Sequence, residues 1–391
     1  MITRLELNHF TVFKKVCLDF GRKLNVLIGE NGSGKTQILK FLYAALGMLP
    51  TAQSAKRSGI TQSKEVSRKD ESFMAVFKVD RMADLIHYGY RERLTRQAGR
   101  SDWGNCQQGQ NLDAIRPDRQ NAASVNAISL SSNGESYRYI LSLQNDSVMV
   151  DQIMPKLPSD ALPKTLFLQT RELLTIYPHY LALRREYVLP YDLTYDDTIG
   201  KLGLPYRSES TAAFESIVAD LERAIDGKMF LRDEKFYFHP NSAPADEDLD
   251  INLAAEGWRK LGMLLQLLKN GGLRSGMVLC WDEPEANLNP QLIGLIANVI
   301  VQLSQFDIQV FMTTHSLFLL REIDMLTKSE KKFAHGDVRF LNFIGKGNVE
   351  QGNQPEDLGN ILMLDESLAQ SHRFLDMEDQ DEAHRRGLTH L

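Results

Sequence analysis

The chain has 391 residues, 43% of them hydrophobic and 25% charged, with a formal net charge of −6. That length allows two or three domain-sized units, and the balance is that of an ordinary globular protein with a sizeable core. The charge excludes a global basic field, so DNA could be held only by a local patch or by the seam of an assembly; no apolar run approaches the ~20 residues that span a bilayer, and Cys17, Cys106 and Cys280 lie far apart without metal-ligand spacing, so neither a zinc site nor a disulfide framework is indicated.

The start, MITRLELNHF, alternates as a strand and does not read as a signal peptide, which points to the cytoplasm. Leu24, Val26 and Ile28 then form an apolar strand ahead of GENGSGKT, Gly29 to Thr36, and Ile38, Leu39, Phe41, Leu42, Ala45 and Leu46 follow with helical spacing. Strand, glycine-rich loop and helix in that order make a phosphate cradle. Gly29, Gly32 and Gly34, with Asn31 and Ser33 among them, leave inward N–H groups unobstructed, and the helix N-terminus complements the anion. Lys35 is placed for the β- and γ-phosphates of ATP, and the Thr36 hydroxyl for Mg²⁺, a hard cation that takes oxygen ligands. Ser72 to Phe77 and Ala127 to Leu143 alternate as strands of an antiparallel lobe. Between them, from about Arg96 to Ser124, the chain is rich in Gln, Asn, Gly and Asp and is predicted to be a long solvated loop, whose Arg100, Arg116 and Arg119 are candidates for touching DNA or a partner.

Leu166 to Leu168 ends a strand at Gln169, and Leu173 to Ile225 reads as helices. The tyrosines there, Tyr177, Tyr180, Tyr187, Tyr191 and Tyr195, suit a packing surface better than base stacking. Met229 to His239 alternates as a hairpin, and Ala243 to Asp250 is an acidic loop. In NLAAEGWRKL, Asn252 to Leu261, the small residues Ala254, Ala255 and Gly257 precede Trp258, Leu261, Leu264, Leu265 and Leu268 at helical spacing, so a helix N-terminus is presented by backbone that can approach another surface closely. Met277 to Trp281 is a continuous apolar run, as in a buried parallel strand, and it ends in Asp282 and Glu283. At a strand's carboxyl end, where α/β sheets bind ligands, Asp282 suits the Mg²⁺ shell and Glu283 the activation of an attacking water. Pro284 breaks the strand and Pro290 opens the next helix. Ile308 to Thr313 is another strand, leading through His315 into a helix, Leu317 to Leu326, which puts a neutral imidazole in reach of a γ-phosphate. Val338 to Ile344 is a closing strand, and Asp376 to Leu391 a charged tail, predicted flexible.

Gly29 to Thr36, Met277 to Pro290 and Thr313 to Ser316 resemble the Walker A, Walker B plus D-loop, and H-loop segments of ABC-type ATPases, and the opening strands resemble those of the SMC, RecF-type and OLD ATPases. The segment around AAEG resembles the signature of small stand-alone bacterial ATPases of phage-defence systems, in place of the LSGGQ of transporters. The resemblance implies an α/β fold with a mainly parallel core sheet, an antiparallel β lobe and an inserted helical lobe. The corresponding segments are residues 1–165, 166–260 with the signature, 261–345, and a C-terminal extension 346–391. It further implies that Ala255, Glu256 and Gly257 meet the nucleotide of a second copy in a head-to-tail homodimer, and that Asn287 and Asn289 belong to the D-loop. Gln169 would complete the Mg²⁺ shell, with Glu172 or Arg171 as alternatives for the coupling role. The absence of long heptads sets the chain apart from full-length SMC proteins, and the ~60 residues after the closing strand are too few for the nuclease domain of OLD proteins. A separately encoded nuclease or toxin is therefore the expected partner, with a DNA repair or replication role like that of RecF as the alternative.

Overall fold

The computed structural model describes residues 1–49, 76–77, 123–144, 147–153, 161–187, 189–244, 247–329, 333–345 and 347–388. The strands are β1 (Ile2–Phe10), β2 (Phe13–Asp19), β3 (Leu24–Gly29), β4 (Ala123–Ser132), β5 (Glu135–Gln144), β6 (Ser147–Ile153), β7 (Thr165–Leu168), β8 (Gly227–Arg232), β9 (Lys235–Pro240), β10 (Leu249–Asp250), β11 (Val278–Asp282), β12 (Gln309–Thr313), β13 (Val338–Phe343) and β14 (Val349–Gly352). The helices are α1 (Lys35–Met48), α2 (Tyr180–Glu186), α3 (Leu193–Leu202), α4 (Ser208–Ala213), α5 (Glu215–Ile225), α6 (Glu256–Lys269), α7 (Pro290–Gln305), α8 (Leu317–Ser329) and α9 (Leu362–Leu388).

The centre is a six-stranded sheet in the order β14-β13-β3-β12-β11-β7. Its strands run parallel except β14, which closes the edge antiparallel to β13. Alternate residues of these strands face opposite ways. Leu24, Val26, Ile28, Leu279, Trp281, Val310 and Met312 pack into one core with α6, α7, α8 and the helical lobe. Leu27, Cys280, Phe311 and Leu341 pack into a second core with α1 and the five-stranded antiparallel sheet β2-β1-β4-β5-β6. Burial on both faces explains why β11 reads as an unbroken apolar run.

The alternating stretch Ala127–Leu143 forms β4 and β5, turning at Asn133 and Gly134, and Met229–His239 forms the β8–β9 hairpin. The tyrosines Tyr180, Tyr191 and Tyr195 pack against one another, with ring centroids 5.6 and 4.8 Å apart.

One expectation is corrected. Val76 and Phe77 are helical rather than extended, with Val76 buried and Phe77 edge-on to Phe10; residues 72–75 lie outside the described residues. The run of five apolar residues from Phe73 carries no period that separates strand from helix. The charged tail falls, as far as Leu388, within α9, which runs from Leu362. No Pro occurs in that stretch and no Gly before Gly387, and Glu, Leu, Ala, Gln and Arg are good helix formers whether or not they pack. At the far end of the predicted loop, Ala123 and Ser124 belong to β4; residues 96–122, with Arg100, Arg116 and Arg119, lie outside the described residues, as does Cys106.

Candidate functional site

The wholly buried strand β3 ends at Gly29, whose φ of 131° is a conformation that side chains rarely adopt. A Cβ there would run into the carbonyl of Phe343 on β13, and a Cβ on Gly34 (φ 103°) would come within 2.6 Å of the Phe13 ring. Gly29→Ala is therefore expected to lower stability by about 2–3 kcal/mol, through strain and the clash together; a denaturation midpoint equal to wild type would contradict this. Helix α1 starts at Lys35 with no side chain capping its first turn, leaving N–H groups of the loop and helix start for a ligand. Lys35 is buried and donates to the carbonyls of Gly29 (2.8 Å) and Glu30 (2.7 Å). Burial pulls its pKa down to about 8, against the opposing pull of Glu283, Asp282, Glu285 and Glu30. Ser33 donates its hydroxyl to the Glu30 carbonyl at 2.7 Å. Asn31, with Gly29, Glu30 and His315, lines a cavity of about 440 Å³ closed on one side by Leu362, Met363 and Glu366 of α9. Gly32, φ 74°, faces open space.

The carboxyl ends of three neighbouring strands bring the acidic and hydroxyl groups to this loop. Asp282 pairs in register with Thr313, and its Oδ1 accepts from the Thr313 hydroxyl (2.6 Å) and the Thr36 hydroxyl (3.0 Å). The N–H of Glu283 donates to Thr313 Oγ1 at 3.0 Å. Glu283 sits in the left-handed region, φ 48°, with Oε1 3.4 Å from His315 Nε2. Burial, and then the charges of Asp282 and Glu285, push its pKa up; burial, and then Lys35, push that of His315 down, which favours a neutral imidazole beside the carboxylate. Glu285 holds the turn after β12 in place: its Oε1 accepts from the Thr314 hydroxyl (2.6 Å) and the His315 N–H (3.0 Å). Its Oε2 is buried with no hydrogen-bond partner.

Gln169, at the end of β7, is buried and donates Nε2 to Thr194 Oγ1 at 3.0 Å. That hydroxyl donates to Asp192, which caps α3 and pairs with Lys40 of α1 at 2.6 Å. Gln169 Oε1 is buried and without a hydrogen-bond partner. Of the alternatives, Arg171 is exposed. Glu172 is a buried brace that accepts from the N–H groups of Leu174 and Thr175 and forms an ion pair with Arg259 at 3.2 Å.

Ala255 is exposed at the start of α6 and offers no side-chain cap. Glu256 accepts from Asn287 Nδ2 at 2.7 Å, so the turn after β11 restrains it within the same chain. Gly257 also has close neighbours within the chain: a Cβ there would stand 3.2 Å from Leu292 of α7 and 3.3 Å from Leu288 just before it. Asn289 accepts from the Leu292 N–H at 2.9 Å and caps α7, with Pro290 in its first turn.

Sequence reasoning gave no role to Thr313, Glu285, Thr194, Asp192, Lys40 or Lys260. Only Lys260 left a trace, as a lysine on the apolar stripe that Leu261, Leu264 and Leu268 define.

These residues suit a hard cation and a polyphosphate. The donors that converge are oxygens, the carboxylates crowd one another, and two buried side-chain oxygens, Gln169 Oε1 and Glu285 Oε2, have no donor. Among the described residues no group of three His, Cys, Asp or Glu is set to hold a metal alone. Mg²⁺ characteristically takes one or two carboxylates and completes its shell with water and phosphate oxygens.

The SMC head bound to the C-terminal winged-helix domain of ScpA, a crystal structure, superposes with a TM-score of 0.51 at 13% identity, over 91% of this chain and 98% of that one, a likeness of fold. The DNA replication and repair protein RecF of Streptococcus suis (strain 05ZYH33) is 45% identical over 42 residues, 11% of this chain and 12% of that protein. RecF of Bacillus velezensis is 35% identical over 75 residues, 19% of this chain and 18% of that protein. The chain thus matches less than a fifth of the length of either curated relative. No helix among the described residues is long and apolar enough to cross a membrane. The family described as "AAA domain, putative AbiEii toxin, Type IV TA system" matches residues 24–321, from the strand before the glycine-rich loop to the helix after His315, and the chain belongs to that family.

Proposed function

We propose that this protein is an ABC-type ATPase that dimerises around ATP and serves as the sensor and scaffold subunit of a bacterial anti-phage defence system, controlling a separately encoded nuclease or toxin. The observation that carries the ATPase reading is the meeting of Thr36, Asp282, Glu283 and His315, drawn from three loops, at the carboxyl edge of one sheet beside the Gly29–Thr36 loop. In this reading the loop amides and Lys35 hold the phosphates, and Thr36 and Asp282 hold Mg²⁺, with Gln169 completing the shell. The cation, when bound, neutralises charge on the β- and γ-phosphate oxygens. Glu283 accepts the proton of the attacking water, and His315 hydrogen-bonds the γ-phosphate. Ala255, Glu256 and Gly257 of a second copy close the site. The exposed start of α6 and Leu253 just before it, 74% exposed, support that face as a docking surface.

The defence role rests on the family, whose description names a toxin and a toxin–antitoxin system. The test is affinity purification of the Glu283→Gln protein, expressed from its native gene neighbourhood, with and without ATP, followed by mass determination. A nuclease or toxin recovered in fixed ratio on an even-numbered ATPase assembly is the expected result. The local identity to RecF favours a second reading, a DNA repair ATPase; recovery of DNA and recombination proteins alone would select it.

A further inference from the structure

Lys260 is 2% exposed, on the first turns of α6, and its ammonium donates to three main-chain carbonyls: Glu283 at 2.9 Å, Thr170 at 3.0 Å and Ala286 at 3.1 Å. An ammonium has three donors and no acceptor, so these bonds saturate it. The three carbonyls lie in two turns, one after β7 and one after β11, where the Ala286 N–H also donates to the Glu283 carbonyl at 3.1 Å. Thr170 follows Gln169, Glu283 is the carboxylate beside His315, and Ala286 begins the D-loop that carries Asn287. Burial pulls the pKa of Lys260 down to about 8, opposed by Glu285, Glu283, Glu256 and Asp282. A charge kept in so dry a place would be costly without specific partners.

The bond to Glu283 has a particular consequence. A glutamate at φ 48° occupies a conformation that persists only where its surroundings impose it. The Glu283 peptide is gripped on both sides, through its N–H by Thr313 and through its carbonyl by Lys260. The first grip comes from the core sheet, and the second from the helix whose start carries Ala255 to Gly257.

We propose that Lys260 is a positioning residue for ATP hydrolysis: by clasping the carbonyls of Thr170, Glu283 and Ala286 it makes the aim of the Glu283 carboxylate depend on where helix α6 stands. The proposal rests on the ATPase reading given above. Movement of α6 when its exposed start meets a second copy is transmitted through this one ammonium to Glu283 and to the backbone that follows Gln169. Lys260 touches neither nucleotide nor water in this scheme.

Two variants test it in the full-length protein. Lys260→Met removes every donor; Lys260→Arg keeps the charge, but its planar fork cannot direct three bonds from one nitrogen. With ATP and Mg²⁺, kcat is expected to fall about 100-fold in Lys260→Met and less in Lys260→Arg, as a misplacement near 1 Å at the reacting group would give. Nucleotide affinity, read by fluorescent-ATP titration, is expected to stay within about 3-fold of wild type. On a Glu283→Gln background, Lys260→Met is expected to add no further loss, because both act on one step. Equal kcat in wild type and both Lys260 variants would overturn the positioning role and leave the ATPase reading intact. So would losses that add to those of Glu283→Gln, or a parallel fall of affinity and kcat in the well-folded Lys260→Arg protein. A wild-type protein that does not hydrolyse ATP would overturn both.

Discussion

Glu283→Gln is expected to lower kcat for ATP hydrolysis by about 10³-fold while leaving ATP affinity within a few-fold, the size of effect that removal of a general base produces. Glutamine matches the carboxylate in shape and keeps the main-chain bonds to Thr313 and Lys260, so the turn has no reason to rearrange. It cannot accept a proton from water. It also removes one negative charge from a cluster in which Asp282 and Glu285 already raise the pKa of Glu283, and so eases the approach of a γ-phosphate. The ATP-bound state should therefore accumulate, and with it the dimer. Phosphate release, ATP titration and light scattering with ATP read the three consequences separately. Hydrolysis at the wild-type rate would remove Glu283 from the role of base.

Lys35→Met is expected to weaken ATP binding by about 100-fold, since loss of a charged donor buried against a phosphate costs on the order of 3 kcal/mol. The Lys35 amine is already directed at the loop carbonyls of Gly29 and Glu30, so its stem needs little reordering to reach phosphates held by the same loop. The pH dependence has a definite sign. The ammonium binds the anion, and the free protein holds it fully below a pKa of about 8. Above that pH a proton must be taken up on binding, so the dissociation constant should rise by up to about tenfold per pH unit until the higher pKa of the bound state is reached. Lys260, also near 8, titrates in the same window, but its effect should appear in kcat rather than in affinity. Lys35→Met should therefore flatten the pH profile of binding, measured by calorimetry from pH 7 to 9.5. A wild-type profile already flat would show that Lys35 makes no charged contact with the nucleotide.

What the sequence determined was local. Gly29, Gly32 and Gly34 at positive φ, a strand before them and a helix after, are consequences of chain geometry over a dozen residues, and the spacing of the glycines encodes them. The buried run of β11 was legible because a parallel strand covered on both faces has no polar side to show, and Pro290 marked the start of α7 because its fixed φ suits the first turn of a helix. The hairpin of β8 and β9 followed from its alternation.

What only the tertiary structure decided were encounters between distant segments. Thr36 and Asp282 are 246 positions apart and meet because β12 lies between β3 and β11 in the sheet. That strand order also places Thr313 under both Asp282 and Glu283, and nothing near Thr313 in the chain announces it. The closeness of Gly257 to Leu288 and Leu292 of the same chain, 3.3 and 3.2 Å from where a Cβ would stand, is likewise supplied by the fold and not by the segment that carries it. Lys260 left a faint trace in the sequence but holds three carbonyls from two segments distant in the chain, because a buried ammonium is tolerated only where folding assembles acceptors around it. Periodicity and capping act through neighbours along the chain, so the sequence states them outright; the partners of a buried charge are supplied by the order of strands in a sheet, which no single segment contains.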